Sequence, residues 1–266
     1  MVVKVEMELF GALVAARAAG DAEFVRSCEL SGMGGMLPPS PYAPDVECAD
    51  GTEGSLLDEM SRMVNDTDVP IENARLLRLY AAWKGHLDSQ FNLAYNFSFG
   101  RNVRQDCALA RYWYAKAARG GLASAQNNLG MMYSEGRGGP VDKKRAVFWL
   151  TKSVMNGCDL AMSNLGEHIM KGEGAPRDYH RAATLLKDYI ARHPYNAWAH
   201  FMLAECHEKI GGERRLRLAA RHYQEASDFG SVAARAALKR LLRAPPPPAT
   251  PPSARPRCVQ LSFPPF

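Results

Sequence analysis

The chain has 266 residues, of which 47% are hydrophobic and 23% charged, with a formal charge of +5. A chain of this length and apolar content can bury a substantial core, which excludes wholesale disorder and a disulfide-stapled miniprotein. The charge is uneven: residues 1–65 hold 4 Lys/Arg against 11 Asp/Glu, and the remainder holds 29 against 17. Such asymmetry fits an acidic segment folded on a basic body, a basic surface that meets an acidic partner, or a merely solvated surface.

At the N-terminus, Leu9, Phe10, Leu13 and Val14 fall on one side of a helix. Glu6 and Glu8 precede this stretch and Arg17 closes it, so an amphipathic helix within residues 1–30 is expected rather than a secretory leader. Residues 31–55 mix Gly, Pro, Ser and acidic residues with little periodicity and read as a flexible acidic linker. No stretch approaches the roughly 18 apolar residues needed to span a bilayer, so a soluble protein is expected. Cys28, Cys48, Cys107, Cys158, Cys206 and Cys258 show neither a CxxC pair nor a repeat-locked spacing. That scatter argues against a zinc knuckle or disulfide framework and fits a reducing, cytoplasmic compartment.

Within residues 56–243 the sequence matches itself at a step of 36, with an insertion of two residues near His193-Pro194 before the last full unit. Ala74, Ala110, Ala146 and Ala182 recur at that step, as do Asp106, Asp142 and Asp178, and Gly100, Gly136 and Gly172. Leu93, Leu129 and Leu165 follow the same rule, and Trp113 meets Trp149. Within one unit, Ala125, Leu129 and Tyr133 share a helical face, and Gly136-Arg137-Gly138-Gly139-Pro140 stops that helix. Asp142 stands where the N-cap of a second helix belongs, because its carboxylate can accept from the exposed first-turn amides. That helix carries Ala146, Trp149, Leu150 and Ser153 and ends at Gly157. Gly130 and Ala146 would let the two helices approach closely, with Tyr133 and Trp149 filling the space between hairpins. The pairs Trp113-Tyr114 and Phe148-Trp149 are assigned to core packing rather than to a nucleic-acid stacking platform. Clear units are expected at about 89–124, 125–160, 161–196 and 197–233, with an earlier helix in Leu56 to Val64 and a last one begun by Ala234 and Leu238.

Leu129-Gly130, Tyr133, Gly136, Gly138, Asp142, Ala146, Trp149, Lys152 and Gly157, together with the run Trp113 to Ala118, closely resemble the Sel-one-like repeat. The resemblance covers about two thirds of the chain and implies an all-α fold, an α-solenoid of stacked antiparallel helix pairs akin to tetratricopeptide arrays. Asn102 replaces the second loop glycine of the first full unit, Leu185-Leu186 replaces Trp-Tyr in the third, and the fourth opens on Pro194-x-x-Ala197. The resemblance further implies an adaptor or scaffold that binds a protein or peptide, without enzymatic activity or cofactor. By analogy with tetratricopeptide grooves, the partner-binding positions of the first helices are Phe91, Tyr95, Asn127, Met131, Ser163, Glu167, Trp198, Phe201 and Glu205. Some secreted cysteine-rich relatives bind or hydrolyse β-lactams, but their paired cysteines within each hairpin are missing here.

No catalytic constellation is visible. His200 and His207 lie seven apart with Cys206 and Glu208 adjacent, but His207 falls on the position of Tyr133 and reads as a packing residue, so no metal site is assigned. Gly136 to Gly139 lack the strand context of a phosphate-binding loop. Arg214, Arg215, Arg217, Arg221, Arg235, Lys239, Arg240 and Arg243 leave nucleic-acid or acidic-partner binding as the alternative function. Residues 244–266 are Pro-rich, with Pro248-x-x-Pro251 as a possible SH3-type ligand in a disordered tail.

Overall fold

Helix ends mark the architecture. The computed structural model describes residues 9, 11–12, 19–30 and 78–243. After α1 (Ala22–Leu30) and a helical stretch at 78–83, the helices run α2 (Leu87–Phe99), α3 (Cys107–Arg119), α4 (Ala123–Glu135), α5 (Lys143–Met155), α6 (Asp159–Lys171) and α7 (Tyr179–Arg192). They continue as α8 (Ala197–Ile210), α9 (Glu213–Asp228) and α10 (Val232–Arg243). The described residues contain helices and no strand, as the all-α reading requires.

The register of 36 is a register of caps. Asp106, Asp142 and Asp178 are the N-caps of α3, α5 and α7, each with a carboxylate accepting from first-turn amides at 2.9–3.1 Å. Gly100, Gly136 and Gly172 close α2, α4 and α6 in the left-handed conformation, with φ of 69°, 73° and 75°. An oxygen-bearing side chain at one end and a residue without Cβ at the other satisfy orphaned helix-end amides and carbonyls, so the first helix and the loop after it have the same length in each hairpin.

The chain divides into two compact units, residues 1–194 and 195–266. In the first, α2 pairs with α3, α4 with α5 and α6 with α7, and each hairpin packs on the next through α3 against α4 and α5 against α6. A Cβ on Gly130 would lie 2.8 Å from Leu150 Cγ and 3.2 Å from the Ala146 carbonyl, so α4 and α5 touch as the small residues foretold. Gln90 Nε2 donates to the Ala82 carbonyl at 2.9 Å, and Gln126 Nε2 repeats the bond to Ala118 at 3.0 Å. These bonds tie the end of one hairpin to the start of the next. The core between them holds Leu93, Phe97, Leu109, Trp113, Tyr114, Leu129 and Met132.

Helix α1 covers α3. Phe24 meets the Trp113 ring edge-on at 6.2 Å, Tyr112 donates its hydroxyl to Asp21, and Arg26 pairs with the N-cap carboxylate of Asp106 at 2.6 Å. The contact is apolar with mixed polarity at its rim rather than acid on base. In the second unit, α8 and α9 form a hairpin and α10 packs on α9 around Ala204, Ala219, Tyr223, Ala226 and Ala234.

One packing expectation is corrected. Trp113 and Tyr114 are fully buried and Trp149 is half-buried against the same core, but Phe148 is 51% exposed, so it is not core. Lys152 Nζ lies over the rings of Phe148 and Trp149, as Lys116 lies over Tyr112 and Trp113. Tyr133 is also half-buried, under the Arg111 guanidinium at 3.9 Å. The expected linker at 31–55, the helix at Leu56 to Val64 and the tail at 244–266 lie outside the described residues. So do Phe10, Leu13 and Val14, whereas Leu9 is buried.

Candidate functional site

The first helices of the three stacked hairpins present a recurrent solvent-facing stripe. On α2 it comprises Asp88, Asn92, Tyr95 and Phe99, on α4 Ser124, Asn128, Met131 and Glu135, and on α6 Leu160, Asn164, Glu167 and Lys171. These positions follow i, i+4, i+7 and i+11, one face of a helix, and each is matched 36 residues later. The ends of the stripe are exposed and the middle pairs half-buried.

Tyr95, Met131 and Glu167, expected from the sequence, occupy one level of this stripe. The Tyr95 ring lies 4.7 Å from that of Phe99, and Arg101 and Arg137 sit over Tyr95 and Phe99 respectively. Glu167 pairs with Lys171 at 2.6 Å. The level of Phe91, Asn127 and Ser163 behaves differently. Phe91 packs edge-on against Tyr114 at 5.5 Å, and the Ser163 hydroxyl donates to the Leu160 carbonyl. Asn127 is only 7% exposed, which corrects its assignment to the open face. Its Oδ1 accepts from Asn164 at 2.9 Å and its Nδ2 donates to Asn128 at 3.3 Å, so it braces α4 against α6.

The residues missed are Asn92, Asn128 and Asn164, one asparagine per first helix at the 36-residue step. The signal stood in the sequence as plainly as the recurrent leucines. Asn128 is held from two sides, by Asn127 and by a hydrogen bond with the Tyr114 hydroxyl, whose pKa burial pushes up to about 12. A primary amide offers two donors and two acceptor lone pairs, so these bonds orient it and leave capacity for a further partner.

In the second unit, Trp198 is 52% exposed and stacks on Phe201 at 5.9 Å with 24° between planes. Phe201 in turn packs on Tyr223, and Glu205 is half-buried on the same helix. Much of the basic cluster is engaged locally: Arg217 with Glu213, Arg221 with Glu225, and Arg240, whose Nη2 donates to both carboxylate oxygens of Glu208 at 2.8 Å. Pairing of this kind weakens the phosphate-binding alternative, because each engaged guanidinium already faces a carboxylate.

The histidines are arranged otherwise than their spacing suggested. His200 faces His222 and Glu225 from α9, with Nδ1 to Nδ1 at 3.2 Å and His200 Nδ1 to Glu225 Oε2 at 3.0 Å. His207 is buried, stacks on His222 at 5.9 Å and takes Arg215 at Nδ1. Burial beside Arg215 pushes its pKa down to about 4, and burial also lowers that of His222. His207 is thus a packing residue, as expected. Cys206 is buried, and its thiol is pushed up to about 12 by burial, which makes it inert.

The Sel1 repeat family matches residues 87–122, 123–158 and 159–187, each match beginning at the first residue of a first helix. No curated protein matches the chain. Among solved structures it is similar to c5321, a protective antigen present in uropathogenic Escherichia coli strains displaying an SLR fold. That similarity has 28% identity and a TM-score of 0.60 over 71% of this chain, which spans 40% of that protein. It is also similar in fold to a Sel1 repeat protein from Oxalobacter formigenes, at 20% identity and a TM-score of 0.58, over 85% of this chain and 87% of the other. No helix among the described residues is long and apolar enough to cross a membrane.

Proposed function

This chain carries three Sel1 repeats between residues 87 and 187, and from that premise we propose that it is a protein-interaction scaffold whose first-helix face holds an extended peptide or protein segment. The hairpin of α8 and α9 is taken as a further repeat, which makes 56–243 the working array with an N-terminal segment before it and a Pro-rich tail after it. The observation that carries the reading is the row Asn92, Asn128 and Asn164, half-buried on consecutive first helices. An extended peptide has donors and acceptors along its backbone and needs amide-like partners at a regular interval. An extended chain presents those groups at a short regular rise, about 3.3 Å per residue, and a row of side-chain amides on successive first helices offers partners along its length.

Tyr95, Phe99 and Met131 supply apolar contact beside that row, and Glu167 a charge. Phe91 and Ser163 flank it, and Asn127 acts from behind by orienting its neighbours. Trp198, Phe201 and Glu205 are the corresponding contacts on the second unit. Aromatic anchors with a few fixed polar groups are the usual carriers of binding energy at protein interfaces.

A peptide selected from a random library on the full chain provides the test. Replacing both Asn128 and Tyr95 by alanine is expected to weaken it at least about tenfold, about 1.4 kcal/mol, with helicity unchanged by circular dichroism. Equal affinity of the folded double variant removes the first-helix face as the site. Binding that collapses with added salt and is competed by nucleic acid supports the basic alternative instead.

A further inference from the structure

We propose that His200, His222 and Glu225 form a binding site for a divalent transition metal, zinc foremost. The three ligand atoms already converge: His200 Nδ1 and His222 Nδ1 are 3.2 Å apart, and Glu225 Oε2 lies 3.0 Å from the first and 2.8 Å from the second. Zinc binds imidazole nitrogen and carboxylate oxygen at about 2.0–2.1 Å in a tetrahedron, which places neighbouring ligand atoms about 3.3 Å apart. The observed triangle needs to open by only a few tenths of an ångström. Ligands of this nitrogen and oxygen character suit zinc, cobalt, nickel and copper rather than calcium or magnesium.

The placement is fixed by the fold. His222 and Glu225 are one turn apart on α9 and so point the same way, while His200 comes from α8, the antiparallel partner in the hairpin. Arg221 Nε binds the other oxygen of Glu225, Oε1, at 3.1 Å and so turns Oε2 toward the imidazoles. Phe229 packs on the His200 ring at 5.6 Å and His207 lies flat beside His222, which restricts both rings. Such outer contacts are what orient ligands at a metal centre. His222 and Glu225 are partly exposed, so an ion has a way in and the fourth position is open to water or a partner's side chain. The site stands within residues 195–266 and does not rest on the peptide-binding reading.

The test is titration of the chelator-treated full chain with zinc by isothermal calorimetry, paired with cobalt(II) as a spectroscopic probe. The expected result is one equivalent bound, a rise in melting temperature, and a visible cobalt spectrum of four-coordinate intensity. His222→Gln and Glu225→Gln, both at partly exposed positions, are each expected to weaken zinc at least about tenfold, while exposed His180→Gln on another helix leaves it unchanged. No saturable zinc uptake, or uptake undiminished in both folded variants, overturns the proposal. Should one variant fail to fold, the other decides, and a cobalt spectrum of weak six-coordinate type in the unaltered chain overturns it independently.

Discussion

The indole Nε1 of Trp113 donates to the Ser27 hydroxyl at 2.7 Å, and both side chains are completely buried. Ser27 in turn donates to the Glu23 carbonyl at 2.7 Å, so one hydroxyl serves as acceptor for a repeat residue and donor within α1. The helix outside the repeats thereby seals the first complete hairpin. Ser27→Ala strands the indole N–H and is expected to cost about 1–3 kcal/mol. Phe24→Ala opens a cavity against the same ring and costs about 3–5 kcal/mol. Urea unfolding followed by Trp fluorescence measures both, and two neutral variants would mean that α1 contributes no stability.

Gly138 and Gly174 are one repeat apart, with φ of 74° and 80°. A Cβ on them would sit 2.1 Å from the Cys107 carbonyl oxygen and 2.0 Å from that of Lys143, at the start of the preceding hairpin's second helix. Gly157 shares the left-handed conformation, at 85°, but has open space around it. Gly157→Ala is therefore expected to cost only the conformational penalty, about 1–2 kcal/mol. Gly138→Ala pays the same and must also move backbone, so its loss is larger. Equal melting temperatures for the two variants would refute the close approach of loop and helix.

The capping and close-packing features were legible because they obey local rules that a period of 36 repeats faithfully. Asp142, Gly136 and the pair Gly130 and Ala146 need only their own hairpin. The fates of Trp113 and Trp149 were not legible, because the same motif is buried or half-exposed according to whether an element outside the repeat, α1, lies over it. His200 and His222 are 22 residues apart and off the period, so self-alignment is blind to their meeting across α8 and α9. Asn92, Asn128 and Asn164 are on the period, but Asn127 stands next to Asn128 and sequence alone does not say which of the two faces outward. That neighbour looks equivalent on a helical wheel but turns toward α6, where Asn164 captures it.

His207 makes the second unit acid-sensitive. Its pKa lies at about 4 when folded, because burial, Arg215 and His222 all oppose a charge there, against about 6.5 when unfolded. The unfolded chain therefore takes up the proton first, and the stability is present above pH 6.5 and lost as pH falls toward 4. Acidification through that window removes about 3 kcal/mol. His207→Gln is expected to flatten the stability profile between those limits relative to the parent chain, with carboxylate effects common to both. Parallel profiles through that window would show that the imidazole is not held neutral.

Glu208 joins three elements of the second unit at one carboxylate. It accepts from the Tyr223 hydroxyl of α9 at 2.7 Å and from Arg240 of α10 through both oxygens at 2.8 Å. Tyr223 is fully buried and its pKa is raised by burial and by this carboxylate, so its proton stays in place as the donor. Arg240 is mostly exposed and can return to water when the bond is lost. The two ends of the link are thus unequal. Glu208→Ala leaves a buried hydroxyl without its acceptor and is expected to cost about 1–3 kcal/mol, whereas Arg240→Ala removes an exposed charge pair worth about 0–1 kcal/mol. Chemical denaturation of both variants orders them, and a larger loss for Arg240→Ala would place the weight of the contact on α10 and not on the buried tyrosine.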